Sequence, residues 1–179
     1  MSEFDNENNN DIKIWDDLNL NHNLLRGIYA CGFETPSQIQ KLAIMPIISG
    51  NDVIAQAQSG TGKTGAFSIS ALQTIDISLE QLQVIIIAPT QELSKQIYNV
   101  IKQISEFMDR LRIQLLIGGT SVQNDVDSLR KATPHIVIGC SGRIFDMVKR
   151  RHLCLHTVKL FILDEADEML RMGFIDDVE

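Results

Sequence analysis

The run Val84-Ile85-Ile86-Ile87-Ala88 constrains the fold more than any other stretch of the chain. It is apolar throughout and mostly β-branched, so it offers no polar face, and a strand without a polar face is buried on both sides. Strands of that kind belong to parallel sheets covered by helices. The rest of the chain supplies the alternation such a sheet needs. Val53-Ile54-Ala55 reads as a strand, and Lys63 to about Thr74 as a helix. Thr90 to about Phe107 reads as a helix with Leu93, Ile97, Val100, Ile101 and Ile104 on one stripe. Ile113 to Ile117 is a predicted strand, Gly118-Gly119 a tight turn, and Val122 to Lys131 a helix. His135 to Ile138 is a strand, Arg143 to Lys149 a helix, and Lys159 to Leu163 the last strand. The expected class is α/β, a parallel sheet with helices on both faces, binding ligands where its strands end.

Two helices precede this alternation. Asn21 or Asn23 is placed to cap one that carries Leu24, Leu25, Ile28 and Tyr29 on one face, and Gly32 ends it. Pro36-Ser37 opens another with Ile39, Leu42, Ala43 and Ile47. Met1 to about Asp11 is rich in Asn, Asp and Glu and reads as a disordered tail. The net charge of -7 argues against a long basic groove, although backbone amides and a few local bases can still hold nucleic-acid phosphates. Cys31, Cys140 and Cys154 are scattered, with no Cys-x-x-Cys pair, which fits a reducing compartment better than a disulfide framework or a zinc site. No apolar run is long enough to span a bilayer, and the acidic start is not a signal peptide.

Two motifs carry chemistry. Ala57-Gln58-Ser59-Gly60-Thr61-Gly62-Lys63-Thr64 lies between a predicted strand and a predicted helix. Its glycines let the backbone curl around phosphate oxygens, and the amides of the helix start point at the anion. Lys63 is placed to reach the β- and γ-phosphates and Thr64 to ligate Mg²⁺. Ala57 stands where the strict pattern has its first glycine. Asp164-Glu165-Ala166-Asp167 ends the apolar run Leu160-Phe161-Ile162-Leu163. Mg²⁺ takes one or two carboxylates plus water and phosphate oxygens, a role for Asp164, while Glu165 would orient or deprotonate the attacking water. Taken alone, these acids equally suit the N-terminus of the following helix.

Together the motifs resemble the DEAD-box RNA helicases, in particular the translation initiation factor 4A group. Leu24 to Phe33, leading into Pro36-Ser37-Gln38-Ile39-Gln40, is similar to the family's adenine-reading Q motif. The resemblance implies that Gln40 reads the adenine edge, that the backbone near Thr35 assists, and that Trp15 stacks on the ring. Read without the family, Gln40 is an exposed helix residue and Trp15 a core anchor. Pro89-Thr90-Gln91-Glu92-Leu93 resembles the first RNA-backbone motif, and Gly118-Gly119 the paired-glycine turn. Gly139-Cys140-Ser141-Gly142-Arg143 resembles Thr-Pro-Gly-Arg, which makes Arg143 the expected RNA contact. Gln91 stands where the family has arginine, and Cys140-Ser141 where it has threonine and proline, so RNA affinity is expected to be weakened.

The resemblance divides the chain into a tail (1–11), a Q-motif region (12–49) and a RecA-like P-loop NTPase lobe (50–179) that is truncated at its C-terminus. The family's Ser-Ala-Thr motif and second RecA-like lobe, with its arginine finger, are expected to be missing. Such a finger supplies about 10³–10⁵ in rate, so this lobe alone is expected to bind ATP weakly and hydrolyse it hardly at all. The strand bearing Ser-Ala-Thr lies in this fold between the phosphate-loop strand and the DEAD strand. Its loss is expected to leave apolar residues exposed and sheet groups unpaired. ATP, Mg²⁺, RNA bound through its backbone and a scaffold of the initiation factor 4G type are the implied ligands and partners. The implied location is the cytoplasm, with the nucleus as alternative. The rival reading is a non-catalytic module binding nucleotide, RNA or protein.

Overall fold

The computed structural model describes residues 12–58 and 60–171. The expected tail, Ser59 and the helix read at Asp176 to Glu179 lie outside the described residues. Two compact units emerge: Met1–Thr74 with Gln103–Asp109, and Ile75–Lys102 with Arg110–Glu179.

The first unit is helical. A 3-10 turn, Trp15–Leu18, precedes α1 (His22–Ala30), α2 (Gln38–Ile48) and α3 (Lys63–Thr74). Asn21 is the cap of α1, its side-chain oxygen accepting from the Asn23 amide at 2.9 Å. Gly32, at φ 80°, turns the chain out of that helix. Ser37 caps α2 and Gln40 closes a reciprocal capping box with it. Trp15, Leu24, Ile28, Ile44, Ile69 and Leu72 are buried in this unit. A Cβ on Gly27 would lie 1.7 Å from the carbonyl oxygen of Ile104, so α1 meets that backbone at a distance only glycine permits.

The second unit holds a four-stranded parallel sheet in the order β2-β3-β1-β4. Its strands are β1 (Val84–Ile87), β2 (Ile113–Leu116), β3 (Ile136–Gly139) and β4 (Leu160–Leu163). Between them run α4 (Gln91–Ile104), α5 (Val122–Lys131) and α6 (Ser141–Lys149), and α7 (Ala166–Arg171) follows β4. Ile85 and Ile87 of β1 and Val137 of β3 share a core with Val126, Leu129, Ile144, Met147 and Met169 of the helices. Val84, Ile86, Ile136 and Ile138 point the other way and are buried too, so both faces of the central strands are covered. At the start of β3, the His135 ring is fully buried and its Nδ1 accepts from the Arg112 amide at 3.0 Å.

One predicted strand does not form. Val53 to Ala57 has no strand pairing, and the Ile54 side chain is fully exposed. A strand is a pairing and not a local preference, and apolar β-branched residues cannot make one without a neighbour. Among the described strands β4 pairs only with β1. Phe161 and Leu163 on β4 are 46% and 38% exposed.

Candidate nucleotide and RNA sites

In the first unit the Q-motif residues and the phosphate loop meet through Gln40. This side chain is only 3% exposed. Its Oε1 accepts from the Ser37 amide at 2.7 Å, and its Nε2 donates to the Gly62 carbonyl at 3.2 Å. The Ser37 hydroxyl donates to the Thr61 carbonyl at 2.9 Å. Two residues at the start of α2 thus hold two successive carbonyls of the phosphate loop. Gly60 and Gly62, at φ 80° and 99°, take backbone conformations that disfavour any Cβ. The loop runs directly into α3, whose first two residues are Lys63 and Thr64. Helix-start amides, a cation and a hydroxyl therefore converge where an anion is favoured. Lys63 Nζ donates to the Ala57 carbonyl at 2.7 Å, and the Thr61 hydroxyl to the Gln58 carbonyl at 2.7 Å. The Lys63 ammonium is thus engaged by a carbonyl of its own loop.

The adenine-facing expectations change. Trp15 is fully buried, donates from Nε1 to the Phe33 carbonyl at 3.0 Å, and packs edge-on against the Phe33 ring at 6.3 Å. It presents no open face for stacking and anchors the segment that leads to Thr35, which is exposed in a bend. Gln40 serves the phosphate loop with both ends of its amide. Ser37 was missed as a loop-holding residue, although its spacing from Gln40 is that of a capping box.

The DEAD tetrapeptide lies in the second unit at the end of β4. The Asp164 amide extends the sheet by donating to the Ile87 carbonyl at 3.0 Å. Glu165 then takes φ 52°, a left-handed conformation costly for a side-chain-bearing residue, and its amide donates to Asp164 Oδ1 at 3.1 Å. The Glu165 carbonyl accepts from the Glu168 and Met169 amides, which starts α7. The strained turn leaves the Glu165 carboxylate exposed beyond the strand end. Among the described residues no group of three His, Cys, Asp or Glu is arranged to hold a metal.

The same unit contains a cleft of about 620 Å³, lined by Pro89, Thr90, Gln91, Gly118, Cys140, Ser141, Gly142, Arg143 and Asp146. Six of the seven residues expected to meet RNA come together there, and Gly119 directly follows Gly118. The cleft joins the starts of α4 and α6 to the glycine turn. Thr90 caps α4, its hydroxyl accepting from the Leu93 amide at 3.2 Å. Cys140 occupies the N-cap of α6 without a side-chain cap bond, and its Sγ lies 3.6 Å from Ser94 Oγ. Gln91 reaches the turn: a Cβ on Gly118 would sit 3.2 Å from its Nε2. Arg143 differs from expectation. Its Nη1 pairs with the Asp125 carboxylate, its Nη2 donates to the Thr120 carbonyl at 2.9 Å, and the two paired side chains are 10% and 9% exposed. Asp125 and Thr120 were missed, because partners 18 and 23 positions away leave no local signal.

Comparisons with known proteins agree with this geometry. The model of the DEAD/DEAH box helicase family matches residues 37–179. The ATP-dependent RNA helicase eIF4A of Pyricularia oryzae is 53% identical over 167 residues, covering 93% of this chain and 42% of that protein. The Neurospora crassa protein of the same name shows the same figures. Among solved structures, a DEAD box protein from the hyperthermophile Methanococcus jannaschii superposes with a TM-score of 0.86 at 38% identity, over 93% of this chain and 45% of the other. S. cerevisiae Dbp5 bound to RNA and ADP BeF3 gives 0.83 at 35% identity, over 93% and 42%. The chain spans less than half the length of these relatives. Among the described residues no helix is long and apolar enough to cross a membrane. A phosphate loop braced by the Q motif, a DEAD turn at a strand end and a family match over most of its length place the chain in the DEAD/DEAH box helicase family.

Proposed function

We propose that this chain is the ATP-binding first lobe of an ATP-dependent RNA helicase, which remodels RNA when joined to a second lobe. The observation that carries the proposal is the phosphate loop: left-handed Gly60 and Gly62, braced by Gln40 and Ser37, lead into the amides at the start of α3 with Lys63 at its head. In this reading the loop amides and Lys63 bind the triphosphate. The unused hydrogen and lone pair of the Gln40 amide serve adenine over guanine. The Thr64 hydroxyl and the Asp164 carboxylate are the groups that would hold Mg²⁺, and Glu165 would orient water. Mg²⁺, when bound, neutralises charge on the phosphate oxygens. RNA lies by its backbone on the cleft between the starts of α4 and α6. The proposal extends to a scaffold partner of the initiation factor 4G type and to the cytoplasm, with the nucleus as alternative, on the resemblance of the motifs to the initiation factor 4A group. The rival, a non-catalytic binding module, draws support from Lys63, held by its own loop, and from the unpaired segment entering it.

Thermal melts with ATP and Mg²⁺, together with ATPase assays with and without single-stranded RNA, separate the readings. Protection by ATP that is lost in Lys63→Ala and poorly matched by GTP supports the nucleotide assignment. RNA-stimulated turnover abolished in Glu165→Gln supports the enzyme. Protection without turnover is expected of the lobe alone; protection without turnover after a second RecA-like lobe is joined to it favours the binding module, and equal melts with and without ATP sink the nucleotide reading.

A further inference from the structure

Arg143 is the sole cation among the described residues lining the cleft, and it is already engaged. Its Nη1 pairs with Asp125 on α5 and lies 3.1 Å from Thr120 Oγ1, while its Nη2 donates to the Thr120 carbonyl. Thr120 follows the glycine pair, and its hydroxyl donates to the Ile117 carbonyl at 2.9 Å. The turn is therefore held at one end by its own hydroxyl and at the other by a guanidinium from α6. Both members of the ion pair are nearly out of water. Drawing Arg143 toward a phosphate would strand the Asp125 carboxylate, an arrangement proteins avoid. Asp146, the other charged residue of the lining, accepts from Arg150 Nε at 2.7 Å. What remains for a phosphate is neutral: amides at the α6 start, the Ser141 and Thr90 hydroxyls and the Gln91 amide.

We infer that Arg143 is a positioning residue that fixes the Gly118-Gly119 turn through Asp125 and Thr120, and that the cleft receives an RNA phosphate on neutral donors alone. The inference rests on the RNA reading of the cleft. It has a consequence that a phosphate-binding arginine does not share. A cation that neutralises a phosphate on single-stranded nucleic acid adds about 0.7 to the slope of log affinity against log salt, whereas a positioning cation adds none.

The test is fluorescence anisotropy of labelled oligouridine over a KCl series, at temperatures where melts show each protein folded. Arg143→Gln is expected to bind about tenfold more weakly with the wild-type slope. A slope lower by about 0.7 overturns the inference, because it marks a lost phosphate contact. Wild-type affinity in the folded variant also overturns it, because the residue would then serve folding alone. Asp125→Asn provides a second route should Arg143→Gln fail to fold. It is expected to weaken binding at unchanged slope, whereas tighter binding with a steeper slope would show the released guanidinium taking a phosphate. A wild-type chain that binds no oligouridine at any salt refutes the RNA reading itself, and the inference falls with it.

Discussion

Replacing Gln40 by Met keeps the length and flexibility of the side chain and removes both polar ends. Two bonds are lost, from the Ser37 amide at 2.7 Å and to the Gly62 carbonyl at 3.2 Å; the carbonyl keeps the Ala66 amide at 2.9 Å, so only the Ser37 amide is orphaned. An orphaned buried donor or acceptor costs about 1–3 kcal/mol. Both bonds are only partly shielded, so the low end applies to the Ser37 amide, and the second bond to the already satisfied Gly62 carbonyl is worth an ordinary net hydrogen bond, about 1 kcal/mol each. The sum of about 2 kcal/mol corresponds to a melting temperature lower by about 4–8 °C for a chain of this size. Gln40→Glu separates the two bonds. A carboxylate still accepts from Ser37 but sets an oxygen against the Gly62 carbonyl, so it should cost more than Met at pH 7. Circular-dichroism melts give the stabilities, and ATP-induced shifts on the same samples report the loop. If Gln40→Met melts within 1 °C of the wild type and keeps its ATP shift, the brace does not hold the phosphate loop, and the reasoning is wrong.

Gly27→Ala places a methyl 1.7 Å from the Ile104 carbonyl oxygen and should cost about 3 kcal/mol by urea titration; an unchanged midpoint would mean that α1 has room to move away. Burial, and then the nearby Arg112 cation, hold the His135 pKa below its ordinary 6.5, so the unfolded chain binds the proton more readily. His135 therefore contributes stability above pH 6.5 that is lost as pH falls below it, and His135→Gln should flatten that part of the pH–stability curve. Glu165→Gly removes the side chain from a backbone at φ 52° and should raise the stability of this chain by about 1 kcal/mol; a lower melting temperature would show that the turn is not strained. Ile54→Asn should alter stability by less than about 0.5 kcal/mol, because the side chain touches water alone, and a loss of several times that would mean Val53 to Ala57 packs after all.

How far the fold could be read depended on the reach of the interaction that makes each element. Helix α3 and helix α5 begin and end where the pattern put them, because apolar spacing and terminal residues act within one or two turns. Strand β1 was equally legible, since a segment apolar on both faces has few alternatives to the middle of a sheet. Val53 to Ala55 carries the same local preference as β1, yet it has no strand partner. The difference lies outside the segment, in whether another chain segment offers a ladder.

The candidate sites divide in the same way. The residues of the phosphate loop and the RNA cleft were found because motif spacing along the chain survives folding. What these residues do with their polar atoms was not visible, because it depends on partners far away in sequence. Gln40 reaches across 22 positions to Gly62, and Arg143 across 18 to Asp125. In both cases a side chain expected to touch ligand spends its bonds on the backbone or carboxylate of its own site. A loop of glycines and a turn of two glycines are the softest backbone available, and an anion site made of amides works only if those amides are held in place. The polar side chains nearest such a loop are the ones able to hold it, so a motif residue that braces its site is as much a requirement of the chemistry as one that touches the ligand.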